Sequence, residues 1–225
     1  MKFSENTINI LKNFASINPS ILVKPGNVIQ TVAISNGGIF ASASVEESFP
    51  LQFAIYKLPE FLGILSLFKD PEVEFTKHAI RIRQGNQYIN YTMADASMVV
   101  APPDGKQISL ASVDVEFDIT GDSIQRLIKA AAILQLPNIC VKGDGEKITI
   151  TATDVKTPTA NEFSLDIGVT DKVFNMVFIV DNIIKLISND YNVKISSKGI
   201  SKFENFDNHI TYFIANEASS NFNKG

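Results

Sequence analysis

The stretch Ser123–Leu134, SIQRLIKAAAIL, sets Ile124, Leu127, Ile128 and Ala131 three and four residues apart, the spacing of one helical face. Arg126 and Lys129 fall off that face, and no acid follows Asp122 within the segment. Ile133 lies outside the stripe, so the helix is expected to end early. On both sides the pattern changes to alternation, with VDVEFDI (113–119) before and KITITAT (147–153) after. A strand, one amphipathic helix and then strands is the unit by which the rest of the chain can be read.

That unit recurs. FAIYKLPEFLGILSLFKDPEVEF (53–75) and FIVDNIIKLISNDYNVKI (178–195) repeat its order, and KFSENTINILKNFASINPSILVKPGNVI (2–29) is a truncated copy. Anchors at Phe3, Ile55, Ile119 and Val180 stand 52, 64 and 61 residues apart. The first helix, SENTINILKNFA, aligns Ile8, Leu11 and Ala15 with Phe14 beside them, and Ser4 is its N-cap. The second, LPEFLGILSLFKD, aligns Phe61, Ile64, Leu65 and Phe68 and has Pro59 in its first turn. The fourth, VDNIIKLISND, turns Ile183, Ile184 and Ile187 inward from a cap at Asp181. Between the helices lie strand patterns such as AIRIRQ, QYINYTM, FSLDIGV, YNVKIS and HITYFIA. Turn clusters SNGG, RQGN, GDGEK and SSKGIS separate them. The fold class is α+β, β-rich with four helices. VVAPPDGKQIS (99–109) reads as a linker, which places one domain at 1–107 and a second at 108–225, two modules in each.

The chain has 225 residues, 45% hydrophobic and 20% charged, a globular composition able to bury a core. Its one cysteine, Cys140, sits between Ile139 and Val141 and is expected to be a buried, inert thiol. The N-terminus lacks a continuous apolar run and no segment approaches a membrane span of roughly 20 residues, so a soluble, cytosolic protein is expected. A net charge of −4 argues against a simple nucleic-acid binder, although one face can be basic while the total is acidic.

Chemistry is sparse. His78 and His209 stand in strand-like contexts without a second ligand at metal spacing, so no metal or cofactor is expected. GDGEK is followed by strand alternation, not by the helix that a phosphate-cradling loop opens. Asp144, Glu146, Asp154 and Asp166 read as solvated acids. No catalytic residue is assigned.

Each helix carries an acid early and a base later: Glu5 with Lys12, Glu60 with Lys69, Asp122 with Arg126 and Lys129, Asp181 with Lys185. The helix dipole favours that order by about 0.3–1 kcal/mol per charge. The repetition admits a second explanation, a track of one sign facing phosphates without reading bases.

NILKNFASINPSILVKPG, AIYKLPEFLGILSLFKD and SMVVAPPDGKQI resemble the DNA polymerase sliding clamps of T4-type bacteriophages, and length and module order fit throughout. The resemblance implies two domains of the DNA-clamp type per chain and a homotrimeric ring, helices inside and sheets outside, encircling duplex DNA. Lys12, Lys69, Arg126, Lys129 and Lys185 would then face DNA, with Lys2 and Lys57 at helix starts. It further implies a non-enzymatic processivity factor in the cytoplasm of the infected bacterial host, serving the DNA polymerase, loaded by a clamp loader and engaging late-transcription factors. A partner-peptide pocket beside the connector would involve Val99, Val100, Ala101, Pro102, Ile108 and Leu110. The competing readings are a β-rich interaction module that forms no ring and binds no DNA, and an enzyme built on the scattered carboxylates.

Overall fold

A computed structural model of the chain describes residues 1–34, 38–103, 108–207 and 209–223. The chain divides into two compact units, Met1–Lys106 with Asp207–Ile210, and Gln107–Phe206 with Thr211–Gly225.

The first unit runs α1 (Glu5–Ile17), β1 (Ile21–Val23), β2 (Gly26–Val32), β3 (Ile39–Phe49), β4 (Phe53–Ile55), α2 (Leu58–Leu65), β5 (Glu72–Phe75), β6 (Ala79–Gln84) and β7 (Gln87–Thr92). β1 pairs β4, β2 pairs β3, and β5-β6-β7 form a meander, all antiparallel. Ser4 caps α1 by accepting from the Thr7 N–H at 3.2 Å. The buried face of α1 is Thr7, Ile10, Leu11, Phe14 and Ile17. Ile8 and Ala15, which the periodicity placed on the core stripe, are half-buried at its margins. Spacings of three and four fit either of two overlapping stripes, and packing against the sheets selects the one containing Phe14.

The second unit runs β8 (Val115–Ile119), α3 (Gly121–Leu134), β9 (Asn138–Asp144), β10 (Lys147–Thr153), β11 (Phe163–Val169), β12 (Val173–Ile179), α4 (Val180–Ile183), β13 (Tyr191–Ser196), β14 (Ile200–Asn205), β15 (Ile210–Ala215) and β16 (Asn221–Asn223). One sheet has the order β11-β10-β9-β12-β16, and β8-β13-β14-β15 are neighbours in another. Ile124, Leu127 and Ala131 of α3 are buried. The GDGEK stretch is the β9–β10 hairpin turn, with Gly145 at φ 95° and Asp144 Oδ1 accepting from the Glu146 and Lys147 N–H groups. Cys140 is fully buried and its thiol is pushed up to about 11 by that burial, so it stays protonated at neutral pH. The tail joins the fold as β16, with Phe222 stacked on Phe174 at 6.0 Å.

Several local expectations change. No strand precedes α1; Met1 instead exchanges backbone hydrogen bonds with Val73 of β5. α3 does not end early: it continues to Leu134 with Ile133 79% exposed, and Gln135 closes it at φ 54°. α2 stops at Leu65, because the Leu67 and Phe68 N–H groups reach only three residues back and the Lys69 N–H goes to Gln84 Oε1 at 2.8 Å. Phe68 thus lies beyond the helix. α4 is a single turn capped by Ile179, with Asp181 inside it. Beyond it the Ile187 N–H donates to the Tyr212 hydroxyl and the Ile187 carbonyl accepts from the Tyr191 hydroxyl, so neither continues a helix. Leu186, not Ile184, joins Ile183 in the core. His78 and His209 occupy turns, not strands, and His209 has φ 49°. Part of the SNGG turn and residues 104–107 of the linker lie outside the described residues.

Candidate nucleic-acid interface

The two long helices have the same design, offset by 117 residues. Glu5, Asn9, Lys12 and Ser16 form the exposed stripe of α1; Asp122, Arg126, Lys129 and Ile133 form that of α3. At the same offset the core positions Thr7, Ile10 and Phe14 match Ile124, Leu127 and Ala131, all buried. Lys12 therefore corresponds to Lys129 and Glu5 to Asp122. The letters carry this signal in NILK (9–12) and RLIK (126–129), which the module anchors, set one strand away, did not align.

Each helix is held at its positive end by an acid from another element. Glu47 of β3, only 9% exposed, accepts from the Ser4 N–H and the Thr7 hydroxyl at the start of α1. Asp190 accepts from the Gly121 N–H at 2.8 Å, the first residue of α3. Gly121 is packed so closely that an added Cβ would stand 2.9 Å from the Asn189 backbone nitrogen. These anchors fix the rotation of both helices, and with it where Lys12 and Lys129 point.

The five bases differ in kind. Lys12 and Lys129 are exposed on helices and have no ion-pair partner among the described residues. Arg126 is paired along its own helix with Asp122, Nε to Oδ2 at 2.8 Å, which cancels much of its charge locally. Lys69 stands in the bend after α2, and half-buried Lys185 in the turn after α4, so neither lies on a helix as the periodicity placed it. At the helix starts, Lys57 pairs with Glu60 at 3.6 Å and Lys2 with Asp70. The structure thus assembles matching single cations on α1 and α3 and no dense basic patch on either helix.

Near the connector, Ala101 and Pro102 come together with Leu22, Pro25 and Val28 around a crevice of about 220 Å³. Val100 is 48% exposed, Val99 is half-buried, and neither lines the crevice. Ile108 and Leu110 are half-buried and belong to the second unit. Asn18, fully buried at the end of α1, explains how the wall is held. Its Nδ2 donates to the Val32 and Val100 carbonyls at 3.1 and 3.0 Å, while its Oδ1 accepts from the Ser20 N–H and hydroxyl. Sequence patterns did not single out Asn18, since a lone Asn after a helix reads as an ordinary cap.

No group of three or more His, Cys, Asp or Glu side chains among the described residues is placed to hold a metal ion. Asp166 pairs with Lys147 at 3.0 Å, and Asp154 accepts from the Lys156 N–H and the Thr157 hydroxyl. Both carboxyls are held below the usual aspartate value by those hydrogen bonds, as expected of surface acids capping turns. No helix is long and apolar enough to cross a membrane, among the described residues.

Comparison with known proteins meets this geometry along the whole chain. A family described as "DNA polymerase processivity factor" matches residues 3–101, and one described as "gp45 sliding clamp, C terminal" matches residues 116–218. The sliding clamp of Vibrio phage KVP40 is 35% identical over 225 residues, covering 97% of this chain and 100% of that one. The sliding clamp of Enterobacteria phage T4 is 33% identical over 230 residues, covering 98% of each. Among solved structures, the Proliferating Cellular Nuclear Antigen of Entamoeba histolytica superimposes with a TM-score of 0.69 over 96% of this chain and 97% of that one; at 13% identity this is a likeness of fold. The α+β clamp fold and full-length kinship agree: the chain belongs to the sliding clamps of T4-type bacteriophages, the family of DNA polymerase processivity factors.

Proposed function

We propose that three copies of the chain close into a ring around duplex DNA and tether the phage DNA polymerase there, with no catalytic step of their own. The observation that supports this most is the common register of Lys12 and Lys129 on the exposed faces of α1 and α3. Two structurally similar domains, 1–107 and 108–225, each supply a helix with an unpaired cation at the same position. Three chains then give six such helices lining a hole, with sheets outward and edge strands paired between subunits. Single cations attract phosphates without reading bases, so the ring slides. Weak attraction suffices because retention depends on closure.

In this reading Lys12 and Lys129 face DNA directly. Arg126 contributes less while paired with Asp122, and Lys69 and Lys185 reach the hole from turns. The ring is opened by a clamp loader, works in the cytoplasm of the infected bacterium, and also serves late-transcription factors. Partners dock a peptide at the connector, using the crevice walled by Ala101 and Pro102.

Light scattering across a dilution series tests the ring. The subunit mass is 24.7 kDa, so the proposal expects three times that, about 74 kDa, dissociating at low concentration. A monomer at every concentration would overturn it.

A further inference from the structure

The segment that leaves β7 is pinned at both ends and flanked by two crevices. At its start, the Met93 N–H donates to the His78 carbonyl at 3.0 Å and the Ala94 N–H to the Ala54 carbonyl at 2.9 Å. At its end, Asn18 holds the Val100 carbonyl. Beside the first anchor lies a crevice of about 440 Å³, and beside the second the 220 Å³ crevice already described. Leu22 lines both, so they are continuous along one edge of β1.

The two crevices differ in chemistry. The smaller is walled mainly by aliphatic and proline side chains. The larger has an apolar floor, Leu22, Phe53 and Met93, under a rim bearing Lys77 and His78. Lys77 has no ion-pair partner among the described residues. Asp95 is the one acid of the rim, and its Oδ1 is occupied by the Ser97 N–H and hydroxyl at 2.8 and 2.7 Å. Its carboxyl is held below the usual aspartate value by those same bonds. The uncommitted charge at this rim is therefore positive.

We infer that the larger crevice is a second subsite for a partner peptide, taking acidic residues that flank the apolar anchor seated beside Ala101 and Pro102. This rests on the docking reading above and extends it by a charge preference. The carboxylates meet Lys77 over an apolar floor, where partial desolvation strengthens the attraction. The acidic net charge of the chain repels acidic peptides elsewhere, so this rim also selects where such a peptide binds.

Two fluorescein-labelled synthetic peptides decide the matter. Both carry the same apolar anchor from the C-terminus of the partner polymerase, one flanked by two glutamates and the other by two lysines. Anisotropy with the full chain is expected to give roughly tenfold tighter binding of the acidic peptide, a gap that narrows with salt. Lys77→Glu should reverse the preference, and Lys77→Ala should abolish it with the melting temperature unchanged. Equal affinity for both peptides, with binding still abolished in Ala101→Glu, overturns the subsite and leaves the docking reading standing. Failure of both peptides to bind the unaltered chain overturns both.

Discussion

Lys12 and Lys129 stand at one position of two matching helices, each seven residues beyond an exposed first-turn acid, Glu5 or Asp122. Charge reversal at either should therefore act alike. Lys12→Glu and Lys129→Glu are each expected to shorten processive synthesis and to lower the salt dependence of DNA retention by about 1 for each phosphate no longer neutralised. Arg126→Glu should do less, since Asp122 already neutralises Arg126. Primer extension at increasing salt compares the three; equal impairment at all three positions would refute the ranking.

Glu47 is the buried anchor of α1, and its removal strands the Ser4 N–H and the Thr7 hydroxyl. Glu47→Ala should cost about 1–3 kcal/mol for each group left without a partner. Glu46, exposed beside it on β3, is the control: Glu46→Ala should stay within about 0.5 kcal/mol in urea unfolding.

Gly143 of β9 has no room for a side chain. An added Cβ would stand 2.4 Å from the Phe174 ring and 2.6 Å from the Lys172 carbonyl oxygen. Gly143→Ala should cost about 1–3 kcal/mol through overpacking, and Phe174→Leu in the same chain should recover part of it. Calorimetry of the single and double variants reads the coupling; additive effects would exclude the clash with the ring as the cause.

Asp114 has its carboxyl held below the ordinary value of 3.8, chiefly by the Ser197 N–H, with the Ser112 hydroxyl adding to it. A lowered folded-state value contributes stability that is present above 3.8 and disappears as pH falls through the folded value. Asp114→Asn should therefore be less stable than the unaltered chain at neutral pH, and the gap should close in acid. Urea midpoints measured from pH 7 to pH 3 follow it; a gap that stays constant would point to impaired packing instead.

Some features needed only neighbours in the chain. Ser4 and Pro59 marked helix starts, GDGEK and SSKGIS marked turns, and strand-helix-strands order marked four modules, because caps, turns and apolar periodicity act over a few residues. The family resemblance was carried by such local stretches as NILKNFASINPSILVKPG. Composition and motif content likewise pointed away from a metal or phosphate-loop site.

Tertiary structure decided how far each helix runs and which way it faces. α4 stops after one turn because the Tyr191 and Tyr212 hydroxyls take both backbone groups of Ile187, and those tyrosines come from β13 and β15. α2 stops because Gln84, fifteen residues onward from Lys69, takes the Lys69 N–H. Lys69 and Lys185 consequently leave the helices on which periodicity had set them. The face of α1 was chosen by the packing of Phe14 and the anchor at Glu47. A helix only a few turns long is marginal alone, so its ends and rotation follow the partners that bury it. The amino-acid order supplied the cations; distant parts of the chain, folded against the helices, determined that Lys12 and Lys129 are the matched pair.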